Sequence, residues 1–127
     1  MVYIAYNRGE QLLYSASLIF FDYHSERRNM REAAYQAQLI KRLKLMFPGC
    51  VVLKNDSGYL QGIPDLLILF NERWAMLEVK TSQQAKHQPN QDYYVHLLDN
   101  MSWCSYIYPA IESTVLDDLQ RTLESGW

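Results

Sequence analysis

The sequence of 127 residues has no long hydrophobic run and only two cysteines. The longest apolar stretch near the N-terminus, residues 18–21, is far shorter than the about 20 residues of a membrane-spanning helix. The chain does not begin with a secretory signal pattern, so we expect a cytoplasmic protein. Cys50 and Cys104 lie far apart and belong to no CxxC or Cys/His spacing. Free buried thiols are therefore expected rather than one bridge, and zinc is not supported.

The sequence also lacks the excess of positive charge that is common among DNA-binding proteins, since its net charge is −2. The basic residues are nevertheless concentrated between positions 27 and 54, where Glu32 is the one acid. Seven basic residues fall there: Arg27, Arg28, Arg31, Lys41, Arg42, Lys44 and Lys54. This distribution permits a basic surface for nucleic acid, and an ordinary solvated helix face explains it equally well.

The length and an apolar content of 49% predict a single domain with a real core. Residues 2–6 and 11–21, rich in Tyr, Ile, Leu and Phe, predict a β-hairpin within an N-terminal extension over residues 1–28. Asn29 followed by Glu32 is typical of a capping box, which predicts a helix from there to about Met46. Pro48 and Gly49 would end this helix.

The rest of the chain predicts alternating strands and helices. Strands are expected at 50–53, 63–70, 74–79 and 103–108, with Asn71 and Glu72 as a tight turn. Pro89 suits the first turn of a second helix that ends near Met101, and Ser113 or Thr114 would cap a C-terminal helix within residues 111–127. We therefore predict an α/β (α+β) fold, with a mixed β-sheet flanked by helices.

Three polar side chains meet at one end of the predicted hairpin. With Asn71 and Glu72 as the turn, the register places Asp65 opposite Glu78, and Ile63 opposite Lys80. Because side chains alternate along a strand, Asp65, Glu78 and Lys80 project from the same face.

The remaining residues of the hairpin are apolar on both faces, which predicts central strands that are buried on both sides. Two carboxylates opposite each other in such strands are destabilising unless a cation offsets them. Mg²⁺ or Mn²⁺ fits this need, because Mg²⁺ binds one or two carboxylates and keeps several waters. Lys80 would then orient or help to deprotonate an attacking water, or neutralise charge that develops on phosphorus. The alternative is a structural Asp–Lys–Glu ion cluster without a metal.

Pro64 and Asp65 followed by Glu78, Val79 and Lys80 resemble the signature of the PD-(D/E)xK nuclease superfamily. The chain more narrowly resembles the virus-type replication-repair nuclease (VRR-NUC) family, whose stand-alone members are small phage and bacterial proteins. Three further features carry this likeness over about residues 30–109: Glu32 with Gln36, the Asn55–Gly58 loop, and Gln91.

This resemblance implies a restriction-endonuclease-like fold whose core spans residues 29–110. It implies that Asp65, Glu78 and the Val79 carbonyl bind Mg²⁺ or Mn²⁺ while Lys80 acts on the water. Glu32 would be an outer metal ligand or orient a water, and helix capping explains it equally well. Gln36 would face inward towards the site, where a structural hydrogen bond is the alternative. The N-terminal hairpin is a candidate dimer element.

Five residues are candidate DNA contacts: Lys54, Asn55, Ser57, Lys86 and Gln91. For Gln91, a polar residue in a first helical turn is the simpler interpretation. His87 is interpreted as a solvated loop residue, and His24 and His96 as structural.

The resemblance predicts a homodimeric, metal-dependent endonuclease that cuts branched DNA such as Holliday junctions. Two alternatives stay open. One is a nuclease of linear, flap or single-stranded DNA in phage genome processing. The other is a non-catalytic nucleic-acid-binding protein that keeps the fold.

Overall fold

The computed structural model describes the backbone of residues 16–125 and the side chains of residues 31–125. Helix α1 spans Ala16–Met46. The predicted strand over residues 11–21 is therefore wrong from residue 16 onward, and residues 1–15, with the rest of the predicted hairpin, lie outside the described part of the chain. Asn29 lies inside α1 and does not cap it. The physical reason is that residues 16–46 contain no Gly or Pro to interrupt a helix.

The end of α1 follows the prediction. The helix stops at Met46, ahead of Pro48 and Gly49, and Gly49 adopts a φ of +89°. A left-handed glycine just beyond a helix is a common stop because it has no Cβ to clash with the backbone.

Within residues 16–125, four strands form one mixed sheet, ordered β1-β2-β3-β4. The strands are β1 (Val51–Lys54), β2 (Leu66–Phe70), β3 (Arg73–Val79) and β4 (Cys104–Ile107). Strands β1 and β2 pair antiparallel, as do β2 and β3, whereas β3 and β4 pair parallel. The mixed sheet with flanking helices confirms the predicted α/β (α+β) class, and the register of β2 and β3, from Phe70–Arg73 to Leu66–Leu77, follows the predicted turn.

One face of the sheet carries the core. Leu66, Ile68 and Leu77 are fully buried there beneath Leu39 and Leu43 of α1. The C-terminal helix α3 (Glu112–Glu124) completes this layer. It buries the four side chains predicted for its inner face, Val115, Leu116, Leu119 and Leu123. Each such side chain contributes about 1.5–3 kcal/mol on burial, so this layer supplies the stability on which the site depends.

The opposite face is only partly covered. Helix α2 (Gln91–Met101) contacts β4 and β3 but has no fully buried residue. Val51, Leu53 and Leu69 on β1 and β2 are 49%, 45% and 38% exposed. The prediction that the hairpin is buried on both faces is therefore wrong for this part of the sheet, because α2 lies over the other two strands.

Both later helices begin differently from the prediction. Pro89 precedes α2, whose N-cap is Asn90 in the left-handed region. Helix α3 follows a 3₁₀ turn, Pro109–Ile111, so neither Ser113 nor Thr114 caps it. The 3₁₀ turn brings the chain into the helix earlier than a polar cap would. Glu112 in its first turn accepts a 2.8 Å hydrogen bond from Tyr35 and pairs with Arg42, which ties α3 to α1.

Cys50 and Cys104 are both free, as predicted. Burial raises the pKa of the Cys104 thiol to about 12, so this side chain behaves as a small apolar residue. Within the described part of the chain, no helix combines the length and apolar character that a bilayer span requires.

Two loops are fixed to each other where β2 begins. Gly62 has a φ of +92°, and a Cβ at this position would lie 2.6 Å from Asn90 Cβ and 2.7 Å from its carbonyl carbon. Asn90 itself has a φ of +71°. The loop before β2 therefore packs directly on the residue that begins α2.

Replacement of Gly62 by alanine should destabilise the protein more than the same change at Gly49. Both glycines have left-handed φ values, which cost a residue with a Cβ about 1–2 kcal/mol. A Cβ on Gly49 would meet no atom within 4 Å, whereas a Cβ on Gly62 would abut backbone, so Gly62→Ala adds about 1–3 kcal/mol for overpacking. Urea unfolding of both variants measures this difference, and equal losses would contradict the contact with Asn90.

Candidate functional site

Asp65 and Glu78 meet where β2 begins and β3 ends. The β2–β3 register, continued by one residue beyond Leu66 and Leu77, sets Asp65 opposite Glu78. The Val79 backbone N–H donates a 2.9 Å hydrogen bond to Asp65 Oδ2. Lys80 does not pair with Ile63 as predicted, because the ladder begins only at Leu66 and the Lys80 backbone N–H donates to the Ile107 carbonyl of β4.

Glu78 is almost completely buried, with 1% of the residue exposed. Its Oε2 accepts a 2.7 Å hydrogen bond from Gln91 Nε2 and lies 3.5 Å from Lys80 Nζ. Its Oε1 has no hydrogen-bond partner, and it is the one buried side-chain N or O atom within residues 31–125 in that state. Buried carboxylate oxygens without a partner are rare because they lose their hydration without compensation.

Both carboxyl groups have pKa values above their ordinary ones. Burial, followed by the charge of Asp65, raises the pKa of Glu78 to about 8. Burial also raises the pKa of Asp65, against the opposing effects of the Val79 N–H and Lys80. Without a cation, the pair therefore retains a proton at neutral pH.

Lys80 is held as a cation by acceptors on three sides. Its Nζ donates to the Lys86 carbonyl at 3.0 Å and to Gln91 Oε1 at 2.8 Å, and it faces Glu78 Oε2. An ammonium group has three hydrogens and no lone pair, so these acceptors match its charged form. Only 7% of the Lys80 side chain is exposed.

Gln91 connects the two charged residues. Its Nε2 donates to Glu78, and its Oε1 accepts from Lys80 and from the Gln88 backbone N–H at 2.8 Å each. Both ends of the amide are therefore engaged inside the site. This engagement favours a positioning role over the predicted DNA contact. In the sequence, only the family resemblance pointed to Gln91, because the spacing of residues along the chain does not show that α2 lies over β3.

Glu32 lies within the electrostatic field of the site. Burial, followed by the charge of Asp65, raises the pKa of Glu32, and Lys80 lowers it. Capping is no longer an explanation for Glu32, since it lies in the interior of α1. Gln36, one turn further along, is half-buried. No hydrogen bond joins Gln36 to Glu78, Lys80 or Gln91 within residues 31–125, so its predicted role stays a prediction.

The other predicted contacts surround the site in different ways. Asn55 is structural, because its Nδ2 donates to the Pro64 carbonyl and its backbone N–H donates to the Asp65 carbonyl, both at 2.8 Å. Lys54 and Ser57 are exposed. Lys86 has an exposed side chain, while its carbonyl serves Lys80.

His87 is exposed, but it is not the freely solvated loop residue that the sequence suggests. Its Nδ1 lies 2.7 Å from Asp92 Oδ1, and its ring stacks on Tyr106 at a centroid distance of 4.6 Å. The Tyr106 hydroxyl also donates to Asp92. The sequence carries no signal for this cluster, because Tyr106 comes from β4 and meets the loop only through the parallel pairing of β3 and β4.

The donor set fits a hard divalent cation that takes few protein ligands. Within residues 31–125, no three His, Cys, Asp or Glu side chains converge as a metal cage. Two facing carboxylates, one with an unpartnered oxygen, nevertheless suit Mg²⁺ or Mn²⁺, which complete their coordination with water and substrate oxygens. The fit therefore rests on the Asp65–Glu78 pair.

Comparisons of the chain with models of known protein families, with curated proteins and with solved structures found no match.

The stability of the metal-free protein should fall as the pH rises from about 5 to 8. Glu78 has a higher pKa in the folded protein than its ordinary value of 4.5, so the folded state binds this proton more tightly than the unfolded chain. The stabilisation is complete below pH 4.5 and is lost as the pH rises through about 8. Thermal unfolding in a chelator measures this loss.

Glu78→Gln is the matched control for that measurement. The amide has nearly the same shape and does not ionise, so most of the fall in Tm above about pH 5 should disappear. A profile that is identical to that of the wild type would show that Glu78 ionises freely in the folded protein.

Gln91→Ala should lower the free energy of unfolding by about 1–3 kcal/mol, because Glu78 and Lys80 each lose a buried partner. Gln88→Ala is the control, since Gln88 contributes only backbone groups to the network: its N–H donates to Gln91 Oε1 and its carbonyl accepts from the Gln91 backbone N–H. Urea denaturation of the two variants makes the comparison. Equal stabilities would mean that water replaces the Gln91 amide at no cost.

Proposed function

We propose that this protein is a metal-dependent endodeoxyribonuclease of the PD-(D/E)xK type, in which Asp65 and Glu78 bind Mg²⁺ or Mn²⁺. The observation that carries the proposal is the unpartnered, buried Oε1 of Glu78 opposite Asp65. In the metal-free protein, a proton that Glu78 shares with Asp65 is the alternative partner of this atom, and a divalent cation would displace that proton. Lys80 is not its partner. Lys80 instead points its ammonium group at Oε2, at Gln91 and at the Lys86 carbonyl.

A bound divalent cation would lower the pKa of a water and polarise the scissile phosphate. Neighbouring residues hold the two proposed metal ligands in position. The Val79 N–H holds Asp65 in place, and Gln91 holds Glu78. Glu32 adds a third carboxylate to the field of the site, where it would orient a water. The Val79 carbonyl is a further candidate ligand on the strength of the family resemblance.

Lys80 acts in this proposal as a fixed positive charge. Its three acceptors favour the ammonium form, which cannot accept a proton from water. A buried cation beside the metal site stabilises the negative charge that builds up on phosphorus during in-line attack. Of the roles predicted for Lys80, charge stabilisation therefore has the best support.

The choice of substrate rests on the resemblance and on charge. The resemblance to stand-alone VRR-NUC proteins implies a dimer that cuts four-way junctions, and we propose both properties for this chain. A net charge of −2 favours recognition of DNA shape over general attraction to phosphates. Arg31, Lys41, Lys44 and Lys54 are exposed and available for backbone contacts. Residues that belong to a dimer interface are not assigned.

Cleavage of labelled DNA tests the proposal directly. A four-way junction, a linear duplex, a flap and a single strand are incubated with the protein in Mg²⁺, in Mn²⁺ and in chelator. We expect paired, symmetric cuts in the junction that require the metal. Asp65→Asn and Lys80→Ala should each reduce the rate at least about 100-fold, a loss typical for a residue that stabilises developing charge.

Arg121→Ala is the control, because Arg121 is a cation on α3 with 72% of its side chain exposed, and it pairs with Asp118 rather than with any residue of the site. It should cut at the wild-type rate. Cutting of linear or single-stranded DNA alone would keep the active site and reject junction selectivity. Failure to cut any substrate, together with no Mn²⁺ binding by calorimetry, would overturn the proposal in favour of a binding protein.

A further inference from the structure

The cluster of His87, Asp92 and Tyr106 lies beside the metal site and has no role in holding it together. Lys86, just before His87, accepts the hydrogen bond from Lys80. Gln88, just after it, donates to Gln91. The two neighbours of His87 are therefore hydrogen-bonded to Lys80 and to Gln91, while 39% of the His87 side chain remains exposed.

The imidazole is held in one orientation by two independent contacts. Asp92 faces Nδ1 at 2.7 Å, and the ring lies nearly parallel to Tyr106, with an interplanar angle of 21°. A carboxylate at Nδ1 requires a hydrogen there, which leaves Nε2 as the free atom of the ring. A solvated loop histidine needs neither contact.

We propose that His87 contacts a DNA phosphate next to the scissile bond through Nε2, with Asp92 and Tyr106 as positioning residues. The inference rests on the proposed nuclease function and specifies part of its substrate site. Because Nδ1 already donates to Asp92, Nε2 can donate to a phosphate only when the ring is protonated and positively charged. A charged donor at the rim suits a phosphate oxygen.

The charges of the groups around His87 are compatible with this contact. Asp92 stays ionised, since hydrogen bonds from Tyr106 and His87 lower its pKa. Tyr106 stays neutral, because burial and the bond to Asp92 raise its pKa. Lys80, the residue after β3, also lowers the pKa of Asp92, and the Lys86 side chain is exposed. Within this set, Asp92 is the acid that faces the ring.

Two assays on a labelled junction test the proposal. The dissociation constant is measured in Ca²⁺, and the rate of cleavage is measured separately in Mg²⁺. His87→Gln should weaken binding about tenfold at about pH 6, as expected for the loss of one charge-assisted hydrogen bond. It should raise KM with little change in kcat, and lower the slope of log Kd against log salt by about 1.

Asp92→Asn gives the sharpest contrast with general electrostatics. Asp92 is 74% exposed in its side chain, so removal of its charge alone would strengthen binding to DNA. If Asp92 positions a protonated His87, the variant binds more weakly instead. Tyr106→Phe keeps the stacked ring and should have a smaller effect. His96→Gln is the matched control, because His96 is exposed further along α2 with only Asn100 as a partner among the described residues.

The outcomes separate the two proposals. If His87→Gln binds and cuts DNA as the wild type does, or if Asp92→Asn binds more tightly, the role of His87 is overturned. The nuclease function is left intact by either result. A large loss of kcat at constant KM also overturns it, since a phosphate contact acts on binding. Absence of both DNA binding and cleavage in the wild type overturns both proposals.

Discussion

The repulsion between two buried carboxyl groups governs this structure. Asp65 and Glu78 face each other at the end of a tight hairpin, and burial raises the pKa of both. Such a pair is stable only with a proton, a metal ion or a nearby positive charge. The surrounding residues supply part of this compensation: the Val79 N–H, the Lys80 ammonium group and the Gln91 amide. What they leave uncompensated is one oxygen of Glu78.

The elements of the fold can be understood as supports for that pair. The core beneath Leu66 and Leu77 holds the hairpin against α1 and α3. Strand β4 fixes the backbone of Lys80 through Ile107. The contact between Gly62 and Asn90 holds the loop before β2 against the start of α2. This contact helps to position Gln91, the first residue of α2. The polar site therefore depends on apolar packing on the opposite face of the sheet.

The sequence predicted the parts of this arrangement that are local. The tight turn after Phe70 sets the register of the hairpin, and the register sets Asp65 opposite Glu78, so two residues could be paired without a structure. The apolar face of α3 was predictable for the same reason, because its period lies within one helix. Predictions failed where distant segments decide the result. The N-terminal start of α1, the exposure of Leu69 on the hairpin and the meeting of His87 with Tyr106 all depend on packing that no spacing encodes.

The length of α1 has a mechanical consequence. Its buried contacts with the sheet are at Leu39, Leu43 and Phe47, whereas Glu32 stands two helical turns before the first of them, about 10 Å along the axis. A tilt of about 10° around the packed segment would thus carry Glu32 by about 2 Å, while Asp65 and Glu78, built into the sheet, would stay in place. Tyr35, which packs against the core and donates to Glu112, lies one turn beyond Glu32 and limits such a tilt. Of the three carboxylates, Glu32 is thus the one carried by a helix and not by the sheet, so a displacement of α1 would change its distance from the other two.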